Sequence, residues 1–338
     1  MKKLRVAING MGRIGRSLIR EYYKRPDAFN FEIVAINNPG KIDTYLHLLK
    51  YDSVHGAFNN NLSVKDNAFH INDHKISFYS LKDPSKIPWE KDVDIVFDST
   101  GVFRDQESLS QHLRGDIKKV ILCAPGKKMD GTFVYGINHT QFNPETHHIV
   151  SNASCTTNCL SPLVKILNDE YGIEDAFMTT IHAYTSDQNL LDNSHSDLRR
   201  ARAASVSMIP TTTGAAIATT QVIPELVGKL NGYAIRVPTA DVSIVDLTVT
   251  LNKEVSKEEI NKLFLQKSQN EYKEILGYTD EPLVSIDFTG RPESSVVDSG
   301  LTMVNKKTAK IVSWYDNEIG FSNRVLDLAN YIGGKTWG

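Results

Sequence analysis

A cysteine that follows a polar run and precedes an apolar helical pattern is the most reactive feature of the sequence. Cys155 lies in the run SNASCTTNC at residues 151–159, and apolar residues then recur at helical spacing as far as Gly172. This pattern predicts a helix with Ser154 as its N-cap. Backbone N–H groups and the positive end of the helix dipole favour a thiolate there. We predict that Cys155 is a nucleophile rather than a small buried core residue.

One histidine follows on the next predicted strand. The segment FMTTIHAYT at residues 177–185 is strand-like and carries His182. Because this strand directly follows the helix, His182 can return to the end of the helix that carries Cys155. We expect such a pair to hold the sulfur as a thiolate, lowering the thiol pKa from about 8.5 by one or more units. The alternative is a structural histidine.

An anion site is predicted further along the chain. Residues 186–204 form a long polar stretch that contains DLRRAR, and the turn PTTTGA at 210–215 opens another helix. Arginine forks, threonine hydroxyls and helix N–H groups together bind phosphate well. The alternative for the arginines is a solvated surface.

The N-terminal segment predicts a dinucleotide site. An apolar strand at residues 4–9 is followed by the glycine motif Gly10-x-Gly12-x-x-Gly15, a helical pattern and a second strand at 31–36. In such a βαβ unit the first glycine allows the tight turn. The second lets the pyrophosphate approach the backbone, and the third lets helix and strand pack closely.

The end of the second strand bears on the choice of cofactor. Dinucleotide folds that prefer NAD usually carry Asp or Glu there, whereas this chain has Asn37 and Asn38. An asparagine can bind a ribose hydroxyl but carries no charge to repel the 2′-phosphate of NADP. Lys41, two residues beyond Pro39, can neutralise that phosphate or simply be solvated.

The remaining pattern predicts an α/β protein with two domains. Apolar runs at 93–98 and 119–123 end in small residues, as in a parallel sheet whose edge lines a crevice. We predict a Rossmann-type doubly wound parallel sheet domain and an α+β catalytic domain with a mostly antiparallel sheet. The expected domains are 1–154, rejoined by a C-terminal helix at 318–338, and 155–317. We predict a hairpin excursion at 59–83. Helices are predicted at 106–113, 261–272 and 321–332. Strands are predicted at 233–237, 242–251, 283–288, 295–304 and 309–315.

Composition excludes several classes of protein. The 338 residues are 41% hydrophobic and 23% charged with a formal net charge of −2, so nothing draws the chain to nucleic acid or a membrane surface. Three cysteines are too few for a disulfide framework, and no other Cys or His pair completes a zinc site. We expect a cytoplasmic protein with no signal peptide, no membrane span and no metal.

Together these motifs resemble one family along nearly the whole chain. The run at 151–159 is similar to the active-site signature of phosphorylating glyceraldehyde-3-phosphate dehydrogenases, and AINGMGRIGR at 7–16 resembles the family's start. KYDSVHG at 50–56, RVPT at 236–239 and YDNE at 315–318 also match, in order. The resemblance implies a homotetramer that oxidises glyceraldehyde 3-phosphate with NAD or NADP and inorganic phosphate.

The resemblance also implies roles for single residues. Cys155 would form a thiohemiacetal and then a thioester, and His182 would activate it and take the hydroxyl proton. The substrate's phosphate would be held by Thr185, Asp187 and Arg236, and the attacking phosphate by Ser154, Thr156, Arg202, Thr213 and Gly214. Expected cofactor contacts are Gly10, Gly12, Arg13, Ile14, Gly15, Asn38, Lys82, Ser99, Thr100, Gly101, Cys123, Ser194 and Asn317.

Some residues depart from the family pattern. Asn38 replaces an Asp, and Asn193-Ser194 replaces Leu-Pro in a way that is similar to the NADP-accepting photosynthetic branch. We therefore expect use of NADP, or of both cofactors. Ile319 and Cys123 replace Trp and Ser, without an explanation from the sequence. The alternatives are erythrose-4-phosphate dehydrogenase and a catalytically silent nucleotide-binding paralogue; Thr185, Thr213 and Gly214 favour the triose.

Overall fold

The computed structural model describes residues 3–338 and divides the chain into two compact units. Unit 1 comprises the residues up to Tyr135, His139–Ala153 and Ser322–Gly338. Unit 2 comprises Gly136–Asn138 and Ser154–Phe321. Within the described residues, no helix has the length and apolar character needed to cross a membrane.

Unit 1 alternates strands and helices in its first part. Its helices are α1 (Arg13–Lys24), α2 (Ile42–Lys50) and α3 (Gln106–Ser110). Its strands are β1 (Leu4–Asn9), β2 (Phe31–Asn37), β3 (Tyr51–Asp52), β4 (Gly56–Ala57), β5 (Leu62–Lys65), β6 (Ala68–Ile71), β7 (His74–Tyr79), β8 (Ile95–Asp98), β9 (Lys119–Leu122), β10 (Gly131–Thr132) and β11 (Ile149–Ser151).

The main sheet of unit 1 confirms the predicted doubly wound domain. Its strand order is β10-β11-β9-β8-β1-β2-β7-β6-β5, and all pairs from β10 to β7 are parallel. Strands β8 and β9 are buried along their whole length, which explains their continuous apolar sequences. The carboxyl ends of β1, β2 and β8 therefore lie together at one edge, where such folds bind ligands.

Two predictions about unit 1 need adjustment. The crossover helix expected at 106–113 ends at Ser110, after only five residues. The excursion expected at 59–83 is the antiparallel series β5, β6 and β7, but β7 also pairs in parallel with β2 and so belongs to the main sheet.

Unit 2 contains one long helix and a second sheet. Its helices are α4 (Cys155–Tyr171), α5 (Ala215–Val222) and α6 (Lys257–Gln269), and α7 (Ile319–Trp337) begins in unit 2 and continues in unit 1. Its strands are β12 (Ile173–Ala183), β13 (Ile209–Thr211), β14 (Leu230–Val237), β15 (Ser243–Leu251), β16 (Leu276–Thr279), β17 (Ser295–Asp298), β18 (Met303–Asn305) and β19 (Thr308–Tyr315).

The sheet of unit 2 confirms the predicted, mostly antiparallel arrangement. Its order is β13-β14-β12-β15-β19-β17-β16, with β18 paired to β19. Among the described pairs of this sheet, only β12/β14 and β16/β17 are parallel. Strand β15 alternates buried and half-buried side chains over nine residues, which is the period-two pattern read from its sequence.

One predicted strand of unit 2 is wrong, and the single strand predicted at 295–304 is divided into β17 and β18 by a 3₁₀ helix, Ser299–Leu301. The segment expected as a strand at 283–288 forms a short 3₁₀ helix, Ser285–Phe288. The carboxylate of Asp287 accepts a hydrogen bond from the Val284 backbone at 2.8 Å, which closes a local turn. Phe288 then stacks on Trp314 with ring centroids 5.0 Å apart. A local cap and one aromatic anchor therefore outweigh the alternating pattern.

Candidate active site

The N-terminus of α4 has the geometry that the sequence predicts. Ser154 is the N-cap, in an extended conformation, and its Oγ accepts a hydrogen bond from the Thr157 backbone at 3.0 Å. This bond satisfies one of the N–H groups that a helix start leaves without a partner. Cys155 is consequently the first residue of the helix, where backbone dipoles favour negative charge on its sulfur.

The predicted pairing of cysteine and histidine is confirmed. His182 lies near the end of β12, and its Nε2 is 3.4 Å from the Cys155 sulfur. His182 is 4% exposed, while Cys155 is half-buried. Because α4 leads directly into β12, the strand returns alongside the helix and brings the imidazole back to the helix start.

The predicted lowering of the thiol pKa is wrong for this structure. Burial raises the pKa of Cys155, and it outweighs the opposing effects of Arg236 and of hydrogen bonds from Thr156 and the helix backbone. Burial, reinforced by the Arg236 cation, lowers the pKa of His182 to about 3. Both pKa shifts favour the neutral thiol and the neutral imidazole in this pair.

Contacts at the other ring nitrogen prepare His182 to act as a base. Its Nδ1 is 2.6 Å from the Ala183 carbonyl oxygen, to which it donates when the ring carries its proton there. In that tautomer Nε2 directs its lone pair toward the thiol, whereas in the tautomer whose Nδ1 accepts from Arg236 the proton is on Nε2. Arg236 on β14 is the register partner of His182 on β12, and Arg236 Nη1 lies 2.6 Å from His182 Nδ1. This cation opposes a second proton on the resting ring.

The residues predicted to bind the substrate's phosphate come from two segments, strand β14 and the loop that follows β12. Asp187 accepts from Arg200 Nη1 at 2.7 Å, and Arg200 Nε also donates to the Thr211 hydroxyl at 2.9 Å. Thr185 is half-buried at the start of the same loop, and its backbone donates to Gln188 at 3.3 Å. Arg236, Thr185 and Asp187 thus belong to β14 and to the loop that follows β12.

Arg202 is not brought to this group. Its Nε contacts Asp192 at 3.0 Å, and its side chain is 68% exposed. Arg200 instead lowers the pKa values of both His182 and Arg236, so its charge lies close to the pair of Cys155 and His182. Sequence reasoning missed Arg200 because three arginines within four residues give no signal for which one points inward.

The remaining predicted phosphate ligands lie at helix starts. Gly214 is the N-cap of α5, and the Thr213 hydroxyl accepts from the Ala215 backbone at 3.2 Å. Ser154 and Thr156 lie at the start of α4, and the Thr156 hydroxyl contacts that of Tyr315 at 2.9 Å. Both helix starts offer hydroxyl and N–H donors suited to an anion.

In unit 1 the glycine motif fits a dinucleotide. Gly10 has φ +107°, and a Cβ there would lie 2.8 Å from backbone atoms of Ser99 and Thr100. A Cβ on Gly15 would overlap the Gly10 carbonyl. Gly12 differs, since within the described residues nothing lies within 4 Å of its ideal Cβ and no side chain caps α1. Space and helix N–H groups at Gly12 are what a pyrophosphate needs.

This contrast gives a paired prediction. Gly10→Ala is expected to lower the midpoint temperature of thermal unfolding by about 2–4 °C. The added methyl group strains the backbone and crowds Ser99 and Thr100 at the end of β8. Gly12→Ala leaves that midpoint unchanged, since its φ of −68° suits alanine. It nevertheless weakens NAD binding by about tenfold, because the methyl group takes ligand space. Thermal unfolding and calorimetric titration with NAD measure both effects. Wild-type affinity in Gly12→Ala would contradict the assignment.

Other predicted cofactor residues surround this edge of the sheet. The Asn38 amide oxygen accepts from the Met11 backbone at 2.8 Å, and Ser99 Oγ donates to the Gly10 carbonyl at 2.9 Å. Thr100 Oγ1 donates to the buried Asp98 at 2.7 Å. Arg13 forms a two-pronged contact with Asp52. The side chain of Ile14 is half-buried, and Lys41, Lys82 and Gly101 are exposed.

Comparison with known proteins decides the family. Residues 4–106 match the family model described as glyceraldehyde 3-phosphate dehydrogenase, NAD binding domain, and residues 154–317 match its C-terminal domain. The chain belongs to the glyceraldehyde-3-phosphate dehydrogenase family. It is 51% identical over 334 residues to glyceraldehyde-3-phosphate dehydrogenase of Geobacillus stearothermophilus, covering 98% of this chain and 99% of the relative. Similar enzymes of Bacillus cereus and Trichormus variabilis are 50% and 49% identical, over 98% of this chain and 99% of each relative.

Within this family the departures noted in the sequence occupy different environments. Cys123 is buried at the end of β9, and burial raises its pKa far above the ordinary range. Ile319 is buried at the start of α7, where its backbone donates to Asp316 at 2.7 Å. Neither contact explains the replacement of the family's Ser and Trp.

The two predicted cofactor residues of unit 2, Asn317 and Ser194, differ from each other in burial. Asn317 is buried, and its amide oxygen accepts from the Ser243 hydroxyl at 2.8 Å. This bond fixes the orientation of the amide at the residue that precedes α7 by two positions. Ser194 is exposed in the loop between β12 and β13.

Proposed function

We propose that the chain catalyses the reversible oxidative phosphorylation of glyceraldehyde 3-phosphate to 1,3-bisphosphoglycerate. The observation that carries this proposal is the 3.4 Å pairing of Cys155 and His182 beside Arg236, at a helix start rich in hydroxyl and N–H groups. A nucleophile, a base and a cation for a phosphorylated substrate are the groups that the reaction needs.

The chain's own residues carry the covalent steps. His182 Nε2 takes the thiol proton as the Cys155 sulfur bonds to the aldehyde carbon, and it returns that proton to the new alkoxide, giving a thiohemiacetal. When bound, NAD or NADP supplies the hydride acceptor. His182 takes the hydroxyl proton as the carbon is oxidised, which leaves a thioester on Cys155. Inorganic phosphate then displaces the sulfur, and His182 returns its proton to the thiolate.

The residues around the pair have distinct proposed roles. Arg236, Thr185 and Asp187 hold the substrate's phosphate, with Arg200 oriented by its ion pair to Asp187. The attacking phosphate binds the hydroxyl and N–H donors of Ser154, Thr156, Thr213 and Gly214. Arg202 remains a predicted ligand of this phosphate, although its side chain is exposed and contacts Asp192.

We also propose how the chain is organised. Residues 1–154 with 318–338 form the cofactor domain and 155–317 the catalytic domain. A homotetramer is supported by apolar side chains of unit 2 that the single chain leaves exposed, such as Leu198 at 81% and Met208 at 76%. A cytoplasmic location is supported by three cysteines that form no disulfide.

The decisive experiment is an initial-rate assay. Purified protein receives glyceraldehyde 3-phosphate and inorganic phosphate with NAD or NADP in turn, and erythrose 4-phosphate replaces the triose in a parallel series. Phosphate-dependent reduction of the cofactor with a preference for the triose supports the proposal. A large preference for erythrose 4-phosphate would show that the chain is an erythrose-4-phosphate dehydrogenase instead. Absence of turnover with either aldehyde would indicate a silent paralogue.

Cofactor choice gives a separate prediction. NADP use, alone or beside NAD, is supported by the uncharged Asn38 and by the serine at position 194. Asn38→Asp is expected to raise the KM for NADP about tenfold relative to that for NAD, because the new carboxylate repels the 2′-phosphate. Asn59→Asp adds the same charge at an exposed position and serves as the control. An unchanged ratio of the two KM values would remove Asn38 from the explanation.

A further inference from the structure

Three hydroxyl groups form a chain inside unit 2. Thr156 Oγ1 is 2.9 Å from the Tyr315 hydroxyl, which is 2.8 Å from Thr180 Oγ1. The three residues are buried and come from α4, β19 and β12 respectively. Tyr315 is the last residue of its strand, so its ring extends from the sheet toward the start of the helix.

The chain of hydroxyls ends at the catalytic sulfur. Thr156 directly follows Cys155 at the start of α4, and its hydroxyl and backbone N–H lower the pKa of Cys155, which favours the ionised sulfur. The ring of Tyr315 also meets His182 edge-on, with centroids 6.0 Å apart and planes at 75°. Tyr315 therefore contacts both the imidazole and the residue that donates to the sulfur, although its own hydroxyl bonds to neither catalytic side chain.

Counting protons fixes the direction of this chain. Each hydroxyl has one proton, and a thiolate only accepts. When Thr156 gives its proton to the sulfur, its oxygen must accept from Tyr315, and the Tyr315 oxygen must accept from Thr180. Burial and the nearby sulfur raise the pKa of Tyr315 far above its ordinary value, so the phenol keeps its proton at every working pH.

We propose that Tyr315 is a positioning residue that polarises the Thr156 hydroxyl and so governs how readily the Cys155 sulfur ionises. The proposal rests on the proposed role of Cys155 as the nucleophile. Hydrogen bonds in such a series strengthen one another, and a phenol is a stronger donor than an aliphatic hydroxyl. Removing the phenol weakens the Thr156 donor without changing any group that touches the sulfur.

The alternative is that Tyr315 only braces α4 against the sheet. A brace would affect stability and the correct placement of Cys155 at all pH values. A polarising residue instead shifts the pH at which the sulfur becomes reactive and leaves the reactivity of the fully ionised sulfur unchanged. The pH dependence of thiol alkylation separates these two roles, because the thiolate is the species that reacts.

The test measures alkylation of the full-length protein by iodoacetamide from pH 6 to pH 11, without substrate or cofactor. Mass spectrometry follows modification at Cys155. Tyr315→Phe is expected to alkylate about three- to tenfold more slowly at pH 7 and at the wild-type rate at high pH. Tyr272→Phe removes a hydroxyl from another buried tyrosine of unit 2, whose charged neighbours are Asp169 and Glu271, and should keep the wild-type profile.

A double-mutant cycle decides whether the effect passes through Thr156. Thr156→Val is expected to slow alkylation at pH 7 at least as much as Tyr315→Phe, and the double variant should be no slower than Thr156→Val alone. Independent, additive losses, or an unchanged profile in Tyr315→Phe, would overturn the proposal.

The far end of the hydroxyl chain provides variants that leave Tyr315 in place. Thr180→Val should slow alkylation at pH 7 by a smaller factor, whereas Thr180→Ser keeps the hydroxyl and should restore the wild-type profile. A Ser variant as slow as the Val variant would count against the proposal. Alkylation needs no turnover, so these results are independent of the aldehyde assay that tests the proposed function.

Discussion

Replacing His182 by asparagine is expected to lower kcat by about 10²- to 10⁴-fold, the usual contribution of a positioned general base. Burial raises the pKa of the Cys155 thiol, which favours its neutral form at rest. Attack on the aldehyde therefore requires a group that removes the thiol proton, and Nε2 at 3.4 Å is placed to do so. Steady-state kinetics with glyceraldehyde 3-phosphate, phosphate and saturating cofactor measure the loss.

The pH profile gives the sharper form of this prediction. Burial and Arg236 lower the pKa of His182 to about 3, so the imidazole is neutral and able to accept a proton throughout the range from pH 5 to 8. His182 should therefore cause no loss of kcat/KM near pH 6.5 in the wild type. In His182→Asn the thiolate must form unaided, and the rate should rise about tenfold per pH unit below the thiol pKa.

Two outcomes would contradict these expectations, the first by excluding His182 as the base and the second by showing that its pKa is not lowered. One is a variant profile parallel to that of the wild type, which would mean that His182 does not handle the proton. The other is a wild-type acid limb at the ordinary histidine pKa that disappears in His182→Asn. His148→Asn is the matched control, because His148 is an exposed histidine of unit 1 whose ring contacts the Glu145 carbonyl. It should leave kcat unchanged.

The parts of the site that the sequence predicts correctly are those set by local rules. The serine before an apolar periodic run identifies Ser154 as a helix cap, and this alone places Cys155 at the helix start. The direct passage from α4 into β12 then makes the return of His182 a consequence of chain order. In the same way, the strand–glycine–helix order predicts the positive φ of Gly10.

Properties that depend on burial or on distant residues could not be predicted in this way. The pKa direction of Cys155 reverses the expectation, and that of His182 could not be anticipated, because desolvation depends on what covers the pair, which no local motif records. The choice of Arg200 over Arg202 depends on the path of a loop without regular structure. The hydroxyl series joins residues 156, 180 and 315, which are too far apart in sequence for any pattern to connect.

Errors in the fold have a similar cause. The predicted helix at 261–272 is α6, which begins at Lys257 and ends at Gln269. Its true start carries a local signal, a capping box in which Ser256 and Glu259 bond to each other's backbone N–H groups. The prediction missed this signal and also the local cap of Asp287 on the 3₁₀ helix at Ser285–Phe288, whereas the contact of Phe288 with Trp314 was beyond local reasoning.

The strongest test of substrate recognition is Arg236→Gln. Its guanidinium lies 2.6 Å from the His182 ring, and the residue is half-buried on β14. Charge-assisted pairs in such surroundings contribute far more than exposed pairs, so kcat/KM for glyceraldehyde 3-phosphate should fall by about 10²- to 10³-fold. With glyceraldehyde, which lacks the phosphate, the loss should stay below about tenfold. Equal losses for both aldehydes would show that Arg236 does not bind the substrate's phosphate.

Arg202→Gln removes the same charge from the position that the family resemblance assigns to the attacking phosphate. Its exposed contact with Asp192 leads us to expect less than a threefold change in the KM for phosphate, as for other exposed ion pairs.

Arg236→Gln should also change the pH profile. Loss of the cation removes one cause of the low pKa of His182, so the pKa rises, the imidazolium forms at higher pH, and activity is lost earlier on the acid side. Only a residue that acts on both the substrate and the base produces this combined change in selectivity and pH dependence.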